Sequence, residues 1–245
     1  MFIDRKTELE LLDQRYRSNQ AELFVLYGRR RVGKTELLRA FCADKPHVFF
    51  IATLSSDSEQ LATFSQQVYG FTHADVPSGF TFPSWEAALR ALGELPGQPK
   101  PIIVLDEFTY LISGNKAIPS ILQKVWDETL KNTQIMIVLC GSYIGMMETE
   151  VLGYQAPLYG RRTASTLLRP MDLASSALFF PSYSAEEKFL TWAVVGGMPY
   201  YLRTFQDSQD VFANIRQHIL DAQSGTLFNE PRLLLMEELR EPRNY

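Results

Sequence analysis

The chain has 245 residues, 46% of them apolar, with 24 Lys and Arg against 28 Asp and Glu for a formal charge of -4. That supports a folded core the size of one large α/β domain, or of a domain with a small accessory one, and it excludes the molecule-wide basic footprint of a protein living on nucleic acid. Any nucleic-acid contact would be local. Cys42 and Cys140 make neither a metal spacing nor a disulfide framework, which suits a reducing cytosol and predicts two buried core thiols. The longest apolar runs, such as IMIVLC at 135–140, have strand length and fall short of a membrane span. The amino terminus, MFIDRKTELELL, carries charges where a secretory segment would be apolar, so the expected location is the cytoplasm.

Thr7-Glu8-Leu9-Glu10 has capping-box spacing, and Leu9, Leu12 and Tyr16 recur at helical intervals, which predicts a first helix over about 6–18. ELFVLY at 22–27 reads as a strand ending at Gly28, and TELLRAF from Thr35 reads as a helix with an apolar stripe. Between them lies Gly28-Arg29-Arg30-Arg31-Val32-Gly33-Lys34-Thr35, the phosphate-binding P-loop pattern in the strand-to-helix context that the pattern requires. Its glycines let backbone N–H groups cradle phosphates, Lys34 reaches the β/γ oxygens, and Thr35 is the expected magnesium ligand. The span Gly28 to Glu36 is therefore the expected nucleotide contact. The three arginines occupy variable positions of the pattern, where they brace neighbouring acids, meet a phosphate or point into water.

HVFFIAT (47–53) predicts a strand, followed by a polar helix to about 69, a loop at 76–83 and a helix at 84–94. PIIVLDE (101–107) is an apolar strand closing on Asp106 and Glu107, about 70 residues after the P-loop. Given the P-loop, Asp106 is expected to order the magnesium shell and Glu107 to polarise an attacking water. LISGNK is read as a flexible segment, then a helix over 118–130 and the strand QIMIVLC (134–140). Ser142 follows that strand at the edge of the sheet where ligands bind, either to sense a γ-phosphate or to cap the helix beginning at Tyr143. A last strand is placed at 163–169, preceded by Arg161 and Arg162, which act either as an arginine finger, in cis or on a neighbour, or as a charged turn.

Alternating strands and helices predict an α/β fold, a three-layer P-loop NTPase with a parallel sheet over 1–170. From 171 to 229 the spacing is helical and broken by Pro181 and Gly196-Gly197, a C-terminal helical lid. Pro231 sits in the first turn of a connector helix expected over 230–245, which Pro242 stops.

FIDRKTELELL, LYGRRRVGKTELL, IIVLDEFTYL, LCGSYIGMM, LYGRRT and GGMPYYL together resemble the archaeal-type ATPase family, a branch of the STAND and AAA-like NTPases. The resemblance implies ATP and magnesium as cofactors, with Pro199 against the adenine and Arg5, in Ile3-Asp4-Arg5, lining the base pocket. It also implies a winged helix and a nuclease-like domain further on. That continuation is absent from this sequence, which is read either as the ATPase part of a longer protein or as a shortened member. The leading expectation is ATP hydrolysis driving lid or partner rearrangement; the alternatives are a slow nucleotide-gated switch and a P-loop kinase. Expected partners are ATP, a second copy of the chain in a homo-oligomer, and a protein partner or output domain.

Overall fold

The computed structural model describes residues 2–238, so the stop assigned to Pro242 lies outside the described residues. The chain divides into two units, one of residues 5–30 with 34–168, the other of residues 169–238 with 2–4 and 31–33.

In the first unit, strands β1 (Glu22–Tyr27), β2 (His47–Ile51), β3 (Ile102–Asp106), β4 (Met136–Gly141) and β5 (Ala164–Leu167) pair in parallel in the order β2-β3-β4-β1-β5. β3 and β4 are buried at every residue. A strand covered on both faces carries a continuous apolar run, which is why IIVLD and MIVLC read without alternation. On edge strand β2, Val48 and Phe50 are buried while His47 and Ile51 are exposed.

The connections are helical: α1 (Lys6–Tyr16), α2 (Lys34–Cys42), α3 (Asp57–Thr72), α4 (Trp85–Ala91), α5 (Phe108–Gly114), α6 (Ile118–Glu128) and α7 (Ile144–Met147). α6 buries Ile118, Leu122, Val125 and Trp126, spaced at one to two turns along one face. Phe64 of α3 stands between Phe50 and Trp85, with ring centroids 5.4 and 5.5 Å away.

Two local expectations are corrected. The residue capping α1 is Arg5, in the left-handed region at φ 69°, with no side-chain cap bond; the chain is already helical at Lys6, so Thr7 lies inside the first turn. The capping box occurs instead on α3, where Ser56 accepts from the Glu59 amide and Glu59 accepts from that of Ser56. The LISG part of the segment read as flexible is the end of α5, because Leu111 and Ile112 are buried in the core and hold it helical despite Ser113 and Gly114.

The second unit contains α8 (Leu173–Ala177), α9 (Ala185–Val195), α10 (Pro199–Leu202), α11 (Val211–Ile215), which runs on as a wider helical turn over Arg216–Leu220, and α12 (Glu230–Glu238). Its core includes Met171, Phe180, Tyr183, Leu202, Phe205 and Leu227. The fully buried Asn214 is satisfied, donating to Tyr183 Oη and Gln206 O and accepting from the Gln206 amide, all at 2.9 Å.

The two glycines at 196 and 197 do different jobs. Gly196 ends α9 at φ 66°, a conformation that L side chains disfavour. Gly197 lets two backbones meet: Met171 N–H donates to its carbonyl at 2.7 Å, and a Cβ there would stand 1.7 Å from Met171 O. Gly197→Ala is accordingly expected to destabilise the protein by about 3 kcal/mol, a fall in melting temperature of roughly 6–12 °C. Thermal unfolding followed by circular dichroism checks this, and a wild-type melting temperature would show that the two backbones part at little cost.

Candidate functional site

β1 ends and the chain turns at Gly28, where a Cβ would lie 2.5 Å from the carbonyl oxygen of Leu168. Only glycine leaves that space. Further on, Arg31 and Gly33 have φ of 68° and 97°. Left-handed residues interspersed in a tight loop turn successive N–H groups toward one concavity, an anion-binding nest. The loop then feeds straight into the first turn of α2, whose orphan N–H groups and dipole favour the same sign of charge.

Lys34 is buried, and its ammonium donates to the carbonyl oxygens of Gly28 at 2.8 Å and Arg29 at 3.0 Å. It thereby braces the loop from within. Burial pulls its pKa below that of an ordinary lysine, while the carboxylates of Glu107 and Asp106 act in the opposite direction.

The next side chain, Thr35, donates from Oγ1 to Oδ2 of Asp106 at 2.7 Å. Asp106 ends β3 almost fully buried, and its Oδ1 accepts from the amide of Glu107 at 2.9 Å. Glu107 has φ 51° and ψ 43°, a left-handed conformation that costs a non-glycine residue roughly 1–2 kcal/mol. The Tyr110 amide, donating to Glu107 O at 2.8 Å, helps hold it there. Ser142 Oγ donates to Glu107 Oε1 at 2.8 Å. This contact follows from topology: β4 lies between β1 and β3, so the residue after β4 emerges beside the ends of both neighbours.

Ser142 thus meets the acid of β3. It does not cap α7, whose capping position is Tyr143, without a side-chain bond. Cys140 and Cys42 are both buried; burial holds the thiol of Cys140 well above the usual range and pushes that of Cys42 up to about 12, so neither is a thiolate at neutral pH.

Gly28, Lys34, Thr35, Asp106, Glu107 and Ser142 are therefore brought together at the carboxyl edge of the sheet. Of the remaining P-loop residues, Arg30 donates to the hydroxyl of Tyr110 at 3.1 Å, Val32 is fully buried, and Glu36 is exposed on the first turn of α2. Arg5 pairs with Glu8 at 2.9 Å. In the second unit, Pro199 opens α10, and its Cγ lies 3.6 Å from where a Cβ on Gly33 would stand. Arg31 pairs with Glu230 and lies over the ring of Tyr200, 4.4 Å from its centroid. Tyr110 in IIVLDEFTYL, Tyr200 in GGMPYYL and Glu230 at the start of the expected connector helix stood in segments the sequence singled out, but without a role of their own.

The same-chain finger reading of Arg161 and Arg162 is corrected. β5 runs parallel to β1, and Thr163 at its start bonds to Leu23, so both arginines lie at the amino edge, opposite Gly28. Arg161 donates to Asp127 at 2.9 Å and to the carbonyl of Tyr159 at 3.1 Å, and Arg162 donates to that of Leu152 at 2.9 Å. In this chain they tie a loop. The direction of a parallel strand, which a two-residue motif does not carry, decides the matter.

These residues fit a nucleotide with a magnesium ion. The nest and the helix start suit phosphate, and a hydroxyl and a carboxylate already in contact supply the hard oxygens that magnesium takes beside phosphate and water. A parallel sheet with one strand between the P-loop strand and the acid-bearing strand, and a second acid after the first, defines a P-loop ATPase type of site.

Comparison with known proteins narrows the class. Residues 2–205 match the family model described as an ATPase domain predominantly from Archaea, and the chain belongs to that family. An uncharacterized protein of Methanocaldococcus jannaschii is 33% identical over 202 residues, covering 82% of this chain and 43% of that protein. An uncharacterized ATP-binding protein of the same organism is 53% identical over 45 residues, 18% of this chain and 76% of its own length. Among solved structures, the Walker-type ATPase of Pyrococcus abyssi superposes with a TM-score of 0.68 at 22% identity, over 99% of this chain and 76% of that one. The ORC1 protein of Aeropyrum pernix, solved in complex with DNA, superposes with a TM-score of 0.59 at 16% identity, over 95% and 62%. The chain thus spans less than half the length of the first of these curated relatives. Among the described residues, no helix is long and apolar enough to cross a membrane.

Proposed function

We propose that this chain binds Mg-ATP at the P-loop and hydrolyses it with Glu107 as general base, the cycle driving rearrangement of the helical unit or of a partner. The observation that carries the reading is the unbroken run of hydrogen bonds from Thr35 through Asp106 and Glu107 to Ser142 beside the buried Lys34. Lys34 exchanges the carbonyls of Gly28 and Arg29 for the β/γ oxygens of the nucleotide, and the loop amides take the rest of the charge. Thr35 and Asp106 would hold the magnesium ion, which would supply charge neutralisation at the phosphate oxygens. Glu107 accepts a proton from a water whose oxygen bonds to the γ-phosphorus, while the bridging P–O bond breaks and its electron pair leaves with ADP. Phosphate release measured in the presence and absence of magnesium tests the reading, and no release above background under either condition overturns it.

A slow nucleotide-gated switch is the second reading. It is favoured by the Ser142–Glu107 bond, which occupies an oxygen that the base would turn toward water. Ser142→Ala separates the two. If Ser142 orients the base, turnover falls by about tenfold, the size of one hydrogen bond to a charged group, with ATP affinity unchanged. A rise in turnover would mean that Ser142 restrains the base. Specific activity that grows with protein concentration would bring in a neighbouring copy, whose Arg161 would then have to leave Asp127 or whose Arg162 would have to leave the carbonyl of Leu152.

A further inference from the structure

The third arginine of the run stands where glycine is the ordinary choice. Arg31 has φ 68°, and a non-glycine residue keeps such a conformation only where its surroundings over-determine it. Those surroundings are specific. The guanidinium pairs with the carboxylate of Glu230 and lies 4.4 Å from the centroid of Tyr200, and Glu230 Oε2 also accepts from the hydroxyl of Tyr201 at 3.1 Å. Glu230 is only 7% exposed, although a first-turn acid needs no burial to favour a helix dipole. It opens α12, and its amide donates at 3.1 Å to the carbonyl of Leu227, whose side chain is in the core of the helical unit. A buried carboxylate without its cation is costly. Arg31 and the start of α12 are thus each held by the other.

We propose that Glu230 is a positioning residue of the nucleotide site: through Arg31 it holds the left-handed turn of the P-loop in its phosphate-cradling form, and nucleotide in turn fixes the first turn of α12. The second half follows from the first. If the Glu230 contact raises nucleotide affinity by some factor, nucleotide strengthens that contact by the same factor, because binding free energies are reciprocal. This rests on the reading of the P-loop as a nucleotide site. It gives the arginine run a task that backbone cradling alone leaves open: linking the loop to the helix that ends the described chain.

The test uses the full chain and two probes, Mg-ADP and Mg-AMP-PNP, in isothermal titration calorimetry, with thermal melting as a check on folding. Glu230→Gln is expected to weaken both by roughly tenfold, within the 5–150-fold usual for coupled sites. Arg31→Gly keeps a residue at ease with positive φ and removes the side chain. In that background, adding Glu230→Gln should change affinity no further, since two residues acting through one contact are not additive. Hydrogen exchange gives an independent reading: in the wild type, nucleotide should slow exchange of the amides of Glu230, Arg232 and Leu233, and in Arg31→Gly it should not. Unchanged affinity in Glu230→Gln overturns the proposal. So does a loss that is equally large in the Arg31→Gly background, which would mean that Glu230 merely supports α12 through Tyr201. Lys34→Ala keeps the two hypotheses apart. If the wild type binds neither nucleotide, or Lys34→Ala binds both as the wild type does, the nucleotide reading has failed and the coupling with it; if Lys34→Ala loses binding while Glu230→Gln does not, only the coupling has failed.

Discussion

Lys34→Ala is expected to bind Mg-ATP about 100-fold more weakly than the wild type, a loss of roughly 3 kcal/mol if each hydrogen bond to a charged group is worth about 1.5–3 kcal/mol. The ammonium donates to the carbonyls of Gly28 and Arg29 and is buried next to the site acids, so it is already drawn in toward the loop before any phosphate arrives. Alanine removes the charge and leaves those two carbonyls to find other donors. The loop backbone is otherwise held by Gly28 against Leu168 and by the start of α2. Circular dichroism should therefore show an intact fold while calorimetry shows the lost affinity. An affinity equal to that of the wild type, with the fold intact, would mean that nucleotide binds elsewhere or not at all.

Glu107→Gln is expected to retain ATP binding and to lose turnover by about 10²–10⁴-fold, the usual contribution of a general base. The substitution suits this site because it changes little else. A glutamine carbonyl oxygen still accepts from Ser142, as Oε1 does at 2.8 Å, and the bonds from the Glu107 amide to Asp106 and from Tyr110 to the Glu107 carbonyl belong to the backbone. What disappears is a group that takes a proton from water. Turnover by the variant at the wild-type rate would assign the base to another residue.

How much of this was legible depends on the range of the physics behind each feature. Strand β1, the P-loop and the start of α2 follow from neighbours within a dozen residues: an apolar run, glycines that release the backbone, and a helical stripe. β3 and β4 could be read for the same reason, since central strands carry their burial in their composition. Local signals also mislead where a stronger contact competes. Thr7 had the spacing of a cap, yet α1 begins at Lys6 behind a left-handed Arg5; LISG looked loose, yet buried Leu111 and Ile112 hold it in α5.

The sequence by itself determined that this chain carries a P-loop pattern followed by an acid-ending strand, and hence which residues are proposed to meet phosphate, because those patterns are short-range backbone chemistry. Strand order was decided only in three dimensions, and it sets which residues share an edge. With β4 between β1 and β3, Ser142 meets Glu107; with β5 parallel to β1, Arg161 and Arg162 fall at the opposite end and bond to Asp127 and Leu152. The pairing of Arg31 with Glu230 is of the same kind, joining residues from the two ends of the chain. No periodicity or motif encodes such contacts, because they depend on where packing places the elements that carry them.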